Sequence, residues 1–141
     1  MKILLISPGT AEDIDGKITR EIPYLYAKTL FAPHAVAAVA ALTPPEHHVD
    51  IHDEYARGPA DTVLQKNAYD IIGISITSNQ LKRSLHLASV AKKSNPGILV
   101  VVGGIGVEHL VSKNPEDIDV VFHGEAAVSY THLTLPTNRE V

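Results

Sequence analysis

The stretch Val100-Val-Val-Gly-Gly-Ile-Gly-Val-Glu-His109 runs an apolar, β-forming segment directly into two adjacent glycines, with a third glycine two residues later. The segment Ile98–Val102 lacks polar alternation, which is typical of a strand buried on both faces of a parallel sheet. Two explanations fit paired glycines after such a strand. They form either a tight strand-to-helix turn that needs positive φ, or a wall where a ligand leaves no room for side chains.

Four further runs have the same apolar, Ile- and Val-rich character and are predicted as strands: Lys2–Ser7, His48–Asp53, Asp70–Thr77 and Ile118–Phe122. Segments of helical length lie between the strands: Pro33–Leu42, Pro59–Asn67, Gln80–Lys93 and Gly106–Lys113. This alternation predicts βαβ units with right-handed crossovers. We therefore predict an α/β, flavodoxin-like or Rossmann-like three-layer fold with a five-stranded parallel sheet, whose ligand lies at the carboxyl ends of the strands.

The composition limits the classes of function that are open to the chain. Its 141 residues, 45% hydrophobic and 20% charged, suit one globular domain. A net charge of −4 with 12 scattered Lys and Arg residues gives no basic surface for nucleic acid. The lack of cysteine excludes disulfides, thiolate metal sites and iron–sulfur ligation by this chain. No apolar run reaches the length of a signal peptide core or a membrane span, so we expect a cytoplasmic protein without a membrane partner.

Small residues and hydroxyls follow most of the predicted strands, which would let a bulky ligand approach the backbone closely. The five carboxyl ends read Ile6–Thr10, Ile51–Glu54, Gly73–Ser78, Val102–Gly106 and Phe122–Glu125. A nicotinamide cofactor is disfavoured, because Gly104–His109 lacks the last glycine of G-x-G-x-x-G and follows the fourth strand rather than the first. A Walker phosphate loop is absent from the sequence.

Residues 1–127 resemble the N-terminal cobalamin-binding domain of cobalamin-dependent radical SAM proteins. The resemblance rests on five segments in order: "MKILLISPG" from Met1, "VDIHDE" from Val49, "YDIIGISITS" from Tyr69, "ILVVVGGIGVEH" from Ile98 and "DIDVVFHGEA" from Asp117. It implies that a corrinoid lies across the carboxyl edge of the sheet and that its dimethylbenzimidazole tail enters a pocket between strand ends.

By this resemblance, Ser75, Thr77, Gly103 and Gly104 flank the tail pocket. The neighbouring strand ends complete the candidate cofactor-binding set with Ser7, Pro8, Gly9, Gly124 and Glu125. The Glu125 carboxylate either accepts hydrogen bonds from a corrin amide or caps the next turn.

The chain departs from other cobalamin domains after its first strand. Methionine-synthase-like and mutase-like domains carry Asp-x-His-x-x-Gly there, and that histidine ligates cobalt. Here Ser7–Asp13 stands in its place, and no histidine precedes His34. We therefore predict no metal-ligating residue, and the departure favours the radical SAM branch of the class.

The eight histidines have simpler interpretations than a metal site. His48 and His52 lie four residues apart on a predicted strand, about 13 Å at strand rise, which is too far for one zinc ion. We predict that these two and His47 are surface residues. His109 and His123 lie at the functional edge, and a corrinoid contact by either is a minor possibility. The Asp53-Glu54 pair is predicted to anchor a turn or loop, with ribose binding as the alternative.

Residues 128–141 are predicted to be a non-native tail after a cobalamin-binding domain at 1–127. Val128-Ser-Tyr-Thr-His132 is what the transposon end of a sequencing adapter encodes when it is read through. The alternative is a native strand, because Ser129–Leu135 has acceptable β-propensity. The connection from Pro8 to Ala32 is too long for a simple turn, and loops of that length usually have a function or are disordered.

The resemblance implies a cobalamin-binding module from a radical SAM enzyme, acting in methyl transfer or another radical reaction on an unknown substrate. We expect no catalysis from this chain alone. The remaining radical SAM domain of the same polypeptide would be its partner and would hold S-adenosylmethionine and a 4Fe-4S cluster. The alternative is a flavodoxin-like flavin-binding or regulatory domain, for which Ser7–Thr10 is a poor phosphate loop.

Overall fold

The computed structural model describes residues 1–9, 33–77, 80–110 and 115–124. Within these ranges the strands are β1 (Lys2–Ser7), β2 (His48–Asp53), β3 (Ile71–Ser75), β4 (Leu99–Gly103) and β5 (Val120–Val121). They form one parallel sheet in the order β2-β1-β3-β4-β5. The predicted α/β fold with a five-stranded parallel sheet is therefore confirmed, and the strand order reverses between β1 and β3.

The described helices are α1 (His34–Ala41), α2 (Glu54–Arg57), α3 (Asp61–Lys66), α4 (Leu81–Ser94) and a 3₁₀ helix at Ile105–His109. The short helix α2 was not predicted; the Asp53 side chain starts it by accepting a hydrogen bond from the Tyr55 N–H at 3.1 Å. The predicted helical segment Gly106–Lys113 is helical in its first residues, where it belongs to the 3₁₀ helix Ile105–His109 rather than to an α-helix.

Alternate residues of the strands pack on opposite faces of the sheet, as the pleat requires. On one face, Val36 of α1 packs against Ile3, Leu5, Ile71 and Val101. On the other face, α3 and α4 cover the larger part of the core, which includes Leu4, Ile6, Ile72, Val100, Leu64 and Leu87. The sheet is thus the middle layer between α1 and the pair α3 and α4.

Strand β5 has two residues, fewer than the predicted run Ile118–Phe122. Just before β5, the Asp119 backbone N–H donates to the Val100 carbonyl at 2.9 Å. Its carboxylate accepts hydrogen bonds from the Val100 N–H and the Lys92 ammonium, both at 2.7 Å, so a side chain takes the Val100 donor in place of a backbone carbonyl. Burial alone would raise the pKa of Asp119, but the bonds from Lys92 and Val100 outweigh burial and lower it.

In the part of the chain that the structure describes, no helix has both the length and the apolar character needed to cross a membrane. Beyond Pro8 and Gly9, the predicted long connection up to Ala32 lies outside the described residues, and so do Glu125 and the predicted tail at 128–141.

Candidate functional site

The carboxyl ends of β1, β3 and β4 meet at one edge of the sheet, as parallel pairing requires. Ser75 and Gly103 are direct register partners across β3 and β4. Beyond the strand ends, the Ile76 N–H donates to the Gly103 carbonyl at 2.7 Å, and the Gly106 N–H donates to the Ile76 carbonyl at 2.9 Å. The segments that follow β3 and β4 therefore remain hydrogen-bonded to each other past the end of the sheet.

A cavity of about 290 Å³ lies between α1 and the sheet, below this edge. Val36 and Val39 of α1 form one wall, and Leu5, Gly73 and Val101 form the opposite wall on the sheet. Most of its lining is apolar. Four of the predicted site residues line it: Ser75, Gly103, Gly104 and Gly124.

The other described candidates, Ser7, Pro8, Gly9 and Thr77, do not line the cavity. They lie at the same edge, where β1 and β3 end. The predicted set therefore divides into cavity residues at or just after the ends of β3, β4 and β5, and residues outside the cavity at the end of β1 and after β1 and β3. Glu125 is outside the described residues.

Gly104 shows why glycine is required after β4. Its φ is +109°, and a Cβ added there would lie 2.5 Å from the Ile76 carbonyl oxygen and 3.0 Å from the Ile76 nitrogen. Both the backbone conformation and the contact exclude a side chain. Of the two explanations for the paired glycines, the tight turn thus accounts for Gly104, and the cofactor contact at Gly104 stays a prediction.

Gly73 is a cavity residue that sequence reasoning missed. It lies in the middle of β3, and a Cβ added there would lie 2.8 Å from Leu5 Cδ2, at the floor of the cavity. A glycine inside a strand often marks the close approach of a ligand or another backbone, which was the available signal. The missing side chain of Gly73 therefore leaves space in the cavity that the side chain of any other residue would begin to fill.

Residues 25–133, most of the chain, match the B12 binding domain family. The chain belongs to this family of cobalamin-binding domains. It is 29% identical over 140 residues to an uncharacterized methyltransferase of Pyrococcus horikoshii, covering 94% of this chain and 28% of that protein. It is 31% identical over 103 residues to the bacteriochlorophyllide d C-8(2)-methyltransferase of Chlorobaculum tepidum, covering 70% of this chain and 21% of that protein. The chain thus spans about a quarter of the length of these relatives.

The cavity of this B12-binding domain fits the nucleotide tail of cobalamin. A volume of about 290 Å³ is at the lower limit of small-molecule pockets, roughly 300–1,000 Å³, so it suits one inserted ring system better than a whole corrinoid. The Ser75 hydroxyl forms no hydrogen bond within the described part of the chain, so it is open to a ligand atom. An apolar cavity with a hydroxyl near its mouth matches an aromatic ring joined to a polar ribose phosphate.

A buried polar network supports the loops beside β1 and β3 in the B12-binding domain. The Gln80 amide donates to the Pro8 carbonyl at 2.7 Å and accepts from the Thr77 N–H at 3.0 Å. The Glu54 carboxylate accepts from the Gly9 N–H at 3.2 Å and from the Ala60 N–H at 2.8 Å. The prediction that Asp53-Glu54 anchors a turn or loop is confirmed.

Arg83 completes the network and was missed by the sequence analysis, which counted it only among the scattered Lys and Arg residues. Its side chain is fully buried, and it donates to Glu54 through Nε at 3.0 Å and through Nη2 at 2.6 Å. It also contacts Asp61, which accepts a further bond from His86 at 2.6 Å. Burial would raise the pKa of Asp61, but the bonds from Arg83 and His86 outweigh it, and the pKa is lowered.

The histidines only partly follow their prediction as surface residues. His48 is exposed and His47 is half-buried, but the prediction for His52 is wrong, because this side chain is 6% exposed. Its Nε2 lies 2.8 Å from the Gly58 carbonyl oxygen, and that contact explains its burial after β2. His109 and His123 are exposed at the functional edge. Among the described residues, no three His, Asp or Glu side chains form a group that could hold a metal ion.

Proposed function

We propose that this chain is the cobalamin-binding module of a larger radical SAM enzyme that transfers methyl groups, and that the nucleotide tail of the cofactor enters the cavity beside α1. The cavity is the observation that carries the proposal, because it joins an apolar interior to Ser75 and Gly103 at the carboxyl edge. The corrin ring would then lie outside, across the loops that follow β1, β3 and β4.

In this arrangement the described residues have distinct roles. The apolar walls exclude water from the inserted ring, and burying aromatic surface supplies most of the binding free energy. The Ser75 hydroxyl would donate or accept one hydrogen bond at the tail. When bound, cobalamin supplies cobalt-centred group transfer, and the protein contributes position and orientation.

The proposed enzyme context rests on the length and the names of the relatives. Both are called methyltransferases, and this chain covers 28% and 21% of them. The rest of such a polypeptide would bind S-adenosylmethionine and a 4Fe-4S cluster, since this chain has no cysteine to ligate iron. The substrate of the parent enzyme is left open, and the cytoplasmic location stays a prediction.

A flavin-binding or regulatory domain, the alternative function, is not favoured. The family match is to B12-binding domains. In addition, Ser7–Thr10 is a poor version of the phosphate loop that a flavin would need after the first strand.

The proposal is tested by mixing the purified chain with hydroxocobalamin and removing free ligand on a desalting column. We expect corrinoid absorbance to elute with the protein, while flavin mononucleotide and nicotinamide adenine dinucleotide, run in parallel, stay behind. Retention of flavin with loss of corrinoid would contradict the proposal. Circular dichroism of the eluted protein shows that the sample stays folded in each run.

A further inference from the structure

Gln80 joins two loops that are far apart in the sequence. It lies immediately before α4 and is 7% exposed. Its side-chain amide donates to the Pro8 carbonyl, 72 residues away, and accepts from the Thr77 N–H. Pro8 lies in the loop after β1, and Thr77 lies in the loop after β3. One side chain therefore connects the two loops at the position in the sheet where the strand order reverses.

We propose that Gln80 is a positioning residue for cobalamin, which fixes the loops after β1 and β3 at the separation that the corrin ring requires. The inference rests on the proposed function. Gln80 lies below the loops and does not line the cavity, so it would act through Pro8 and Thr77 rather than by touching the cofactor.

The chemistry of the two contacts requires an amide. Proline has no N–H, so the Pro8 carbonyl is the one backbone polar group that this residue offers, and Pro8 is buried. A buried carbonyl without a donor is destabilising, because its lost hydrogen bond to water is not replaced. The Thr77 N–H needs an acceptor at the same place. Among side chains of this length, glutamine offers both a donor and an acceptor at every pH, whereas glutamate does so only when it is protonated.

The ion pair beneath Gln80 strengthens the same loop. The Glu54 carboxylate accepts a hydrogen bond from the Gly9 N–H. Arg83 lies on α4, three residues after Gln80, and donates two hydrogen bonds to Glu54. Consecutive residues Pro8 and Gly9 are therefore fixed by two different side chains from below. Because replacing buried ion pairs by apolar residues is often neutral for stability, fold stability alone does not explain this network.

The variant Gln80→Glu separates positioning from packing, because it keeps the size of the side chain. A carboxylate still accepts from Thr77, but it cannot donate to the Pro8 carbonyl and repels it. A protonated carboxyl group restores the donor. Burial raises the pKa of a carboxyl group, so the switch should fall between about pH 5 and about pH 8.

We would measure the dissociation constant for hydroxocobalamin of Gln80→Glu relative to wild type at about pH 5 and about pH 8. The ratio should be about 10 at the higher pH, which corresponds to about 1.4 kcal/mol, and should return towards 1 at the lower pH. The matched control is Gln65→Glu, the same change at an exposed position of α3, with a ratio near 1 throughout. Glu54, Asp61, Arg83 and His86 are common to all the proteins, so comparing each variant with wild type at the same pH removes their shared contribution.

A readout without cofactor keeps the two proposals distinguishable. Hydrogen exchange of the Gly9 amide in Gln80→Glu, relative to wild type at the same pH, should be faster at about pH 8 and equal at about pH 5. If wild type binds no corrinoid, the proposed function fails and exchange alone decides whether Gln80 positions the loop. The positioning role would be overturned if Gln80→Glu and wild type had equal dissociation constants and equal Gly9 exchange rates at both pH values. It would also be overturned if the variant lost the same amount of binding at both pH values.

A second variant covers the case in which Gln80→Glu unfolds at the higher pH. Gln80→Met has similar length and makes neither hydrogen bond. It should bind hydroxocobalamin about tenfold more weakly than wild type at both pH values, with an unchanged circular dichroism spectrum. Wild-type affinity and wild-type exchange at Gly9 in this variant would also overturn the inference.

Discussion

Gly104 lies against the backbone of Ile76, the residue that follows β3. The Ile76 carbonyl lies where a Cβ would go, and φ is +109°. These two constraints act on the fold before any ligand is present, and a residue forced into this region of φ costs about 1–3 kcal/mol even without a clash. A loss of ligand binding on substitution at Gly104 would therefore report on the turn first.

We predict that Gly104→Ala lowers the free energy of unfolding by about 2 kcal/mol or more, because strain and the contact with Ile76 add. Urea denaturation of the chain without ligand measures this directly. Gly97→Ala is the matched control, since its added Cβ would meet Asn95 Oδ1 at an ordinary 3.5 Å. An unchanged midpoint for Gly104→Ala would contradict the account of this turn.

Ser75 contributes one hydroxyl to the cavity and no described hydrogen bond within the protein. We predict that Ser75→Ala leaves the urea midpoint nearly unchanged and weakens hydroxocobalamin binding by the net worth of one hydrogen bond, roughly 0.5–1.5 kcal/mol. Equilibrium titration of both proteins gives the difference. Equal affinities would remove Ser75 from the binding site.

At the scale of the elements, β1 and β2 begin and end at the predicted residues. Their apolar runs end in Ser-Pro and in an acidic pair, so local sequence sets their limits. Strands β3 and β4 each differ by one or two residues from prediction, whereas β5 has two residues instead of five. Just before β5, the Asp119 carboxylate rather than a backbone carbonyl accepts from the Val100 N–H and also binds Lys92. Such contacts between distant residues leave no local pattern in the sequence.

The same limit explains which parts of the site were predicted. Small residues at the carboxyl ends can be read directly, so Ser75, Gly103, Gly104 and Gly124 were found. The burial of Arg83 and His52 depends on partners that come together only in the fold, namely Glu54 and Gly58. Histidine identity therefore suggested exposure for His52, and no local pattern marked Arg83 as buried.

Asp119 links β5 to β4 and α4, and its lowered pKa makes that link sensitive to acid. A carboxyl group with a pKa lowered by folding stabilises the fold above its unfolded value of about 3.9, and that contribution is lost as the pH falls through the folded pKa. We predict that Asp119→Asn costs less than about 1 kcal/mol at neutral pH, because the pair with Lys92 is partly exposed.

The check is urea denaturation of wild type and Asp119→Asn at about pH 7 and about pH 3. The stability lost between these two conditions should be smaller in the variant, which has one fewer carboxyl group to protonate. The same loss in both proteins would show that Asp119 makes no contribution to the acid sensitivity.

At the scale of the whole molecule, the described domain is a three-layer fold whose cavity lies under α1. The family match runs through residue 133, and the proposed non-native tail begins at Val128. We predict that removing residues 128–141 leaves the thermal midpoint nearly unchanged, because a tail without native partners adds nothing to the core.

Thermal unfolding of the full chain and of residues 1–127 decides this. A domain of this size loses a few degrees for each 1 kcal/mol or so of stability. A decrease of several degrees on deletion would show that the tail is native structure. Unfolding is followed by circular dichroism in the absence of cofactor, so that ligand stabilisation does not enter the comparison.

The central claim is that the cavity receives the nucleotide tail of a corrinoid. It is tested most directly by comparing the dissociation constants of cobalamin and of cobinamide, the corrinoid without that tail. Burying an aromatic ring system contributes about 2 kcal/mol or more, so wild type should prefer cobalamin at least about 30-fold.

Gly73→Ala, which adds a methyl group at the cavity floor against Leu5, should reduce that preference, and Gly97→Ala, outside the cavity, should retain it. Circular dichroism of both variants confirms that they are folded before the titrations are compared. A preference of at least about 30-fold that falls only in Gly73→Ala is the result this account predicts. Equal affinity of wild type for cobalamin and cobinamide would contradict it.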